Sequence, residues 1–325
     1  VPWFYDMKWY QRAASAEFAC SAAFVAQTPL WPLTPRLRRY RELKADDRVA
    51  YGEQLGQDML SALQPGPPLP SLVLCVEKPY LEGFVQSVRK LEESGTTVPY
   101  LVLLALNGGD QPLTRQTQEF ILTAHSIKAC FGNNMHEAID PAKIFPLPIG
   151  LPHHADGVHR GKLRGALDGE QIIAKVRAEA LPWSQRDPRL LIAPMSMNRI
   201  RHRLKSLFSE PNFRDLVRVV SDTVDFPSFL QLIAEHQFVL SPPGKGFDCY
   251  RTWQALAVGT APLVVEDPSF DRRLYSDFGL TFLPHTGEIT PEMLRNLLSS
   301  MPDPKDQLEK LKVNHWKQIW ESFLD

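Results

Sequence analysis

Phe238-Val-Leu-Ser-Pro-Pro-Gly-Lys-Gly-Phe-Asp-Cys-Tyr-Arg-Thr-Trp-Gln-Ala-Leu-Ala-Val-Gly-Thr-Ala-Pro-Leu-Val-Val265 sets the architecture of this chain. The apolar run Phe238 to Leu240 has the length of a buried strand. Ser241 to Gly246 is turn chemistry, with two prolines and two glycines. A helix follows, Gly259 is placed to end it, and Pro262 to Val265 is the next strand. Strand, glycine loop, helix and strand make a parallel crossover unit. Gly244 and Gly246 would let a bulky anion approach the backbone, and the exposed N–H groups at the start of the helix favour phosphate. Lys245 and Arg251 add positive charge. Asp248, Arg251 and Gln254 recur every third residue, a spacing that puts them on one side of the helix, facing a cleft. Cys249, Trp253 and Leu256 then face the core.

Working outward, the same alternation runs through most of the chain. Strands are expected over Ser71–Val76, Val98–Leu106, Ile127–Phe131 and the extended piece Lys143–Ile149, with helices over Leu81–Leu91 and Thr117–His125. A helix over Gly161–Glu179 leads to a proline-flanked linker, 182–188. Beyond it come strands at Leu190–Ala193 and Leu216–Val220, helices at Arg201–Phe208, Pro227–Glu235 and Thr290–Leu298, and a closing amphipathic helix, Leu308–Phe323. The first 65 residues read as a helical extension, ended by Pro65-Gly66-Pro67-Pro68. The expected organisation is therefore a Rossmann-like domain over 1–182 (extension 1–65), a second over 183–302, and a helix in 303–325 returning to the first. In such folds ligands sit at the carboxyl ends of the strands, here in a cleft between the two domains.

Composition narrows the functions. Of 325 residues, 44% are hydrophobic and 22% charged, the balance of a globular protein. Lysine plus arginine (36) nearly equals aspartate plus glutamate (37), so the basic excess of a general nucleic-acid binder is missing. No apolar stretch is long enough to span a bilayer. Cys20, Cys75, Cys130 and Cys249 are too scattered for a zinc site or a disulfide scaffold, and Cys75 and Cys130, beside apolar strand-like runs, are expected to be free buried thiols. No Asp-x-Asp pair for a metal occurs.

The order Ser241-Pro242, Gly244-x-Gly246, Asp248, Arg251-x-Trp253, Ala255-Leu256, Gly259-x-x-Pro262 resembles the donor-site region of exostosin-type glycosyltransferases, which have the GT-B fold. Gln254 stands where that family usually carries a glutamate that holds the donor ribose; an amide still hydrogen-bonds a hydroxyl, but without charge. Weaker matches follow in the same order: Cys75–Phe84, Leu101–Asp110, and Phe131–Leu151 with Asn134, Pro141, Lys143, Pro148 and Gly150. The resemblance implies two Rossmann-like domains about a cleft, a nucleotide-sugar donor (UDP-linked), a glycan or glycoprotein hydroxyl as acceptor, and inverting transfer without cofactor or metal. It also implies a Golgi-lumen location if a membrane anchor precedes this chain, and a cytoplasmic one otherwise.

On this reading the donor site comprises Ser196, Arg203, Thr223, Ser241, Pro243, Gly244, Lys245, Gly246, Asp248, Arg251 and Gln254. Ser196, Asn198, Arg199, Arg201 and Arg203 form a basic segment opposite the glycine loop, with Arg203 as its expected donor-site member. Asp222-Thr223 would meet the base. Asp110 is the expected general base, with Glu82 and His153 as runners-up. Two other readings stay open. One is a GT-B domain without activity that binds a glycan or a partner. The other is a nicotinamide-dependent oxidoreductase, against which Gly-Lys-Gly-Phe-Asp-Cys is not G-x-G-x-x-G.

Overall fold

A computed structural model describes residues 71–106, 113–135, 138–151, 166–222, 224–267, 270–284 and 289–324, with short pieces between 50 and 57. The expected helical extension otherwise lies outside the described residues. Where it is described, Glu53 pairs with Lys90 at 3.0 Å.

Two parallel sheets form the frame. The first has strands β1 (Leu72–Glu77), β2 (Leu101–Leu106), β3 (Ile127–Gly132) and β4 (Ile144–Pro146), in the order β1-β2-β3-β4. Helices α1 (Lys78–Glu93) and α2 (Arg115–Thr123) are its crossovers. These strands are apolar on both faces because both faces are covered. Leu74, Leu101, Leu103 and Cys130 pack with Phe84, Val88 and Ile121 of the helices. Val73, Val102, Leu104 and Phe131 face the other way, into a core continuous with the second unit.

The second sheet has β5 (Asp187–Ile192), β6 (Val217–Val219), β7 (His236–Ser241), β8 (Ala261–Val265) and β9 (Thr281–Leu283), in the order β6-β5-β7-β8-β9. Its helices are α3 (Ala166–Glu179), α4 (Arg199–Phe208), α5 (Phe226–Ala234), α6 (Tyr250–Ala257), α7 (Arg273–Asp277) and α8 (Pro291–Ser300). Side chains mark several starts: Asn198, Asp225 and Thr290 each accept a bond from an N–H of the first turn. Gly259, at φ +75°, ends α6. Arg186 then donates to the carbonyls of Gly259 (2.5 Å) and Val258 (3.3 Å), satisfying that helix end.

The expected alternation is observed, with three physical departures. The linker at 182–188 is only a short 3₁₀ turn, and β5 already begins at Asp187. Pro188 has no N–H to give the ladder, and the pairing of β5 with β7 is irregular between Asp187 and Leu190. Helix α3 precedes residue 182 in the chain but packs on α5 and α6 of the second unit. The closing helix is shorter than expected: two 3₁₀ turns precede α9 (Val313–Glu321), and extended Lys312 separates them from it.

Helix α9 returns to the first unit, as expected. Trp316 stacks on Phe278 of the second unit, with ring centroids 6.5 Å apart. Just past the helix, Phe323 packs against Phe131 (5.8 Å) and Phe145 (5.2 Å) of the first. The Ser71 hydroxyl donates to the Leu324 carbonyl at 3.0 Å. Among the described residues no helix is long and apolar enough to cross a membrane.

Candidate functional site

In the second sheet the chain goes from β5 outward to β6, then returns across β5 to β7. The crossovers therefore diverge between β5 and β7, and the crevice beyond their carboxyl ends is where such sheets bind ligands. Two segments meet there: Ala193–Asn198 after β5, and Pro242–Cys249 after β7.

Arg201 joins them. It sits on the buried side of α4 with Leu204 and Phe208, at positions three and seven residues apart. Its Nε donates to Pro243 O (3.0 Å), Nη1 to Ser196 O (2.8 Å) and Oγ (3.1 Å), and Nη2 to Pro242 O (3.2 Å). Asn198, the cap of α4, donates from Nδ2 to Pro243 O (3.0 Å) and Gly244 O (2.9 Å). The glycine loop is thus held by side chains from the other side of the crevice. It also closes on itself, Gly244 N–H donating to Gly246 O at 3.0 Å.

Arg251 is the second buried guanidinium. Its Nη2 donates to Pro194 O at 2.7 Å, while its buried Nε has no partner. Burial and, next, the charge of Arg201 lower its pKa to about 10, so it stays protonated. Neither arginine has a carboxylate within ion-pair reach among the described residues. The Cys249 thiol, 3.7 Å from Arg201 Nη2, supplies no anion, because burial raises its pKa. Two interior cations beside each other with an orphaned N–H are costly without an anion. Gln254, one turn further along α6, is 3% exposed and makes no side-chain hydrogen bond to the described residues.

Asp248 does something different from what its spacing suggests. It precedes α6, whose cap position is Cys249, and it is fully enclosed. Its Oδ1 accepts from Trp253 Nε1 (2.8 Å) and Tyr275 OH (3.0 Å), and its Oδ2 from the Ile149 N–H of the first unit (2.6 Å). Its own N–H donates to Asn134 Oδ1 at 2.7 Å. Burial raises its pKa to about 7, against the opposing pull of these donors. The expected stripe of three cleft-facing polar residues is therefore corrected. All three are buried: Asp248 faces the first unit, and Arg251 reaches Pro194 O in the segment after β5. The side-chain period could not separate these directions, since Asp248 is outside the helix.

Close approach calls for glycine at 246 and leaves only a tight fit for a side chain at 244. A Cβ at Gly244 would lie 3.0 Å from Arg201 Nη2, and one at Gly246 would lie 2.6 Å from Asn134 Oδ1. Asn134 itself has φ +48°, a left-handed conformation that asparagine tolerates.

Of the other expected residues, Ser196 and Pro243 join the crevice through Arg201. Ser241 is buried and bonded to Thr252 Oγ1 at 2.8 Å, which ties β7 to α6. Lys245 is exposed on the loop. Arg203 is corrected: it lies on the exposed side of α4, and Arg201 takes the buried place. The helix starts at Arg199, so the phase of its apolar residues selects position 201. Glu82 faces Gln86 at 3.5 Å on α1, with no bond to the arginines. Asp110, His153 and Thr223 lie outside the described residues. Sequence reasoning places Arg201 in the basic segment but prefers Arg203, and it does not single out Tyr275; for Arg201 the i, i+3, i+7 phase with Leu204 and Phe208 was the available signal.

No protein-family model matches the chain, and no curated protein matches it. Solved structures do. AviGT4, a glycosyltransferase involved in avilamycin A biosynthesis, is 12% identical over 79% of this chain and 98% of its own, with a TM-score of 0.31. The UDP-forming α,α-trehalose-phosphate synthase of Burkholderia xenovorans is 10% identical over 98% and 85%, TM-score 0.42. The UDP-GlcNAc 2-epimerase of Methanocaldococcus jannaschii is 13% identical over 85% and 82%, TM-score 0.36. These are likenesses of chain path, and the functional reading rests on the side chains described above.

Proposed function

We propose that the chain is a nucleotide-sugar-dependent glycosyltransferase of exostosin-like type, with the β5/β7 crevice as its donor site. The observation that carries this reading is the pair of buried guanidiniums, Arg201 and Arg251, with an Nε unsatisfied and no carboxylate in ion-pair reach among the described residues. A diphosphate supplies the missing anion and the missing acceptor together. The charge of these arginines would then stabilise the departing diphosphate without a metal. Gln254 offers an unengaged amide to a ribose hydroxyl. Asp110 is assigned as the base. In the reaction the acceptor oxygen forms a bond to the anomeric carbon while the bond from that carbon to the phosphate oxygen breaks. The acceptor proton goes to the base, and the nucleoside diphosphate leaves with the electron pair. Attack from the opposite face inverts the anomeric centre. UDP-linked sugars are the proposed donors, and glycan or glycoprotein hydroxyls the proposed acceptors.

The test is thermal stabilisation by UDP, GDP, CMP, ADP and NAD, with and without EDTA, since a ligand of the folded state raises the melting temperature. A UDP shift that survives EDTA and vanishes in Arg251→Ala supports the reading. Stabilisation by NAD alone supports an oxidoreductase, and no stabilisation by any nucleotide contradicts a donor site. The uncharged Gln254 favours a second reading, a domain that binds the nucleotide without turnover. Binding with no transfer or donor hydrolysis would select it.

A further inference from the structure

We infer that Asp248, with Asn134 and the Ile149 amide, is a latch that closes the first α/β unit onto the glycine loop. Asp248 is thus a positioning residue and does not touch the nucleotide. Five bonds set the joint. Ile149 N–H, Trp253 Nε1 and Tyr275 OH all donate to one carboxylate, and the Asp248 N–H is accepted by Asn134 Oδ1. Asn134 is fixed in turn, because its carbonyl accepts from Leu113 N–H at 3.0 Å. Two of the five, Ile149 N–H to Asp248 and Asp248 N–H to Asn134, cross between the units and form only when the units are together; the other three are made within one unit and hold those partners in place. Gly246 lies directly against the Asn134 amide, which leaves no room for a side chain between loop and first unit.

A carboxylate needs donors on both oxygens, and here all are protein groups; Oδ1 already takes two, and Oδ2 takes a short 2.6 Å bond. A ribose hydroxyl or a phosphate has no place there. Neighbouring contacts follow the same seam: Asp271 N–H donates to Met135 O at 3.1 Å, and Arg273 Nη1 to Pro141 O at 3.0 Å. The loop held by this seam is the one whose carbonyls bind Arg201, so the latch sets the distance between the first unit and the arginine pair. The seam stands apart from the proposed function. Its effect on nucleotide affinity rests on that reading.

The experiment is amide hydrogen exchange on the nucleotide-free protein, wild type against Asp248→Asn and Asn134→Gly. The second variant keeps the left-handed backbone and removes the acceptor. In both, exchange at the Ile149 and Asp248 amides is expected to speed up by about tenfold or more, with the sheet amides of Leu103 and Val239 still protected. The double variant should go no further than the more severe single, because both remove one joint. Unchanged exchange at 149 and 248, or loss spread equally into both sheets, overturns the latch. UDP affinity is read in parallel. Affinity lost in Asp248→Asn with exchange unchanged makes Asp248 a ligand-binding residue and also overturns the latch. A wild type that binds no nucleotide contradicts the proposed function and leaves the exchange result to judge the seam.

Discussion

The two sheets end in different chemistry. In the first, strand order follows chain order, and the carboxyl ends of β1 and β3 lead into Lys78 and the amides Asn133 and Asn134. Lys78 Nζ donates to Asn133 O at 3.2 Å, and Asn134 is spent on the second unit. In the second, the order reverses between β5 and β7, and two buried arginines sit at the reversal. The difference teaches that charge placement follows topology. Diverging crossovers leave a crevice that side chains from two loops can reach, whereas a sheet built in sequence order has no such reversal.

The largest effect that would sharpen this contrast compares two buried aromatics. Trp253→Ala and Phe84→Ala should each cost about 3–5 kcal/mol in denaturant unfolding, because each leaves a large cavity. Trp253 also bonds Asp248 and packs the helix that carries Arg251, so its removal should abolish UDP stabilisation, while Phe84→Ala keeps it in the folded fraction. Equal nucleotide binding in both variants would break the contrast.

Next comes Arg251→Ala. Losing a charged donor to an anion should weaken UDP about 10- to 100-fold by calorimetry. Gly246→Ala drives a methyl group against the Asn134 amide and should cost about 1–3 kcal/mol of stability. Gly95→Ala, where a Cβ meets nothing within 4 Å, reports the cost of φ +76° alone.

A separate effect is in the pH dependence. Asp248 is raised from 3.8 to about 7, so the folded protein holds this proton more tightly than the unfolded chain. Its contribution is complete below the ordinary carboxylate range and is lost as pH rises through about 7. Wild-type stability should therefore gain relative to Asp248→Asn as pH is lowered from about 7 to about 4. Taking this difference removes His236, whose lowered pKa acts in both proteins with the opposite sign. Smallest of all, Lys245→Ala on the exposed loop should change stability by less than about 0.5 kcal/mol.

The sequence made the alternation of strands and helices legible because parallel strands covered on both faces are continuous apolar runs, as in Leu101–Leu106. It did not show β9 or α7, which at three and five residues are too short to display a period. Pro188 concealed the start of β5, since a proline argues against a ladder position. In the site, Arg251 and the glycine loop were legible from charge and turn chemistry. Arg203 was preferred over Arg201 because charge alone cannot tell an exposed side of a helix from a buried one. Asp248 was misread because its partners, Ile149 and Asn134, are about a hundred residues away, at separations of 99 and 114. No local pattern carries a contact made between two units.

The most direct measurement is calorimetric binding of UDP against uridine to the wild-type protein. A diphosphate site built on Arg201 and Arg251 predicts that UDP binds at least about 10-fold tighter than uridine, with an affinity that weakens as salt rises. Equal binding of the two, or no binding of either by the folded protein, would contradict it.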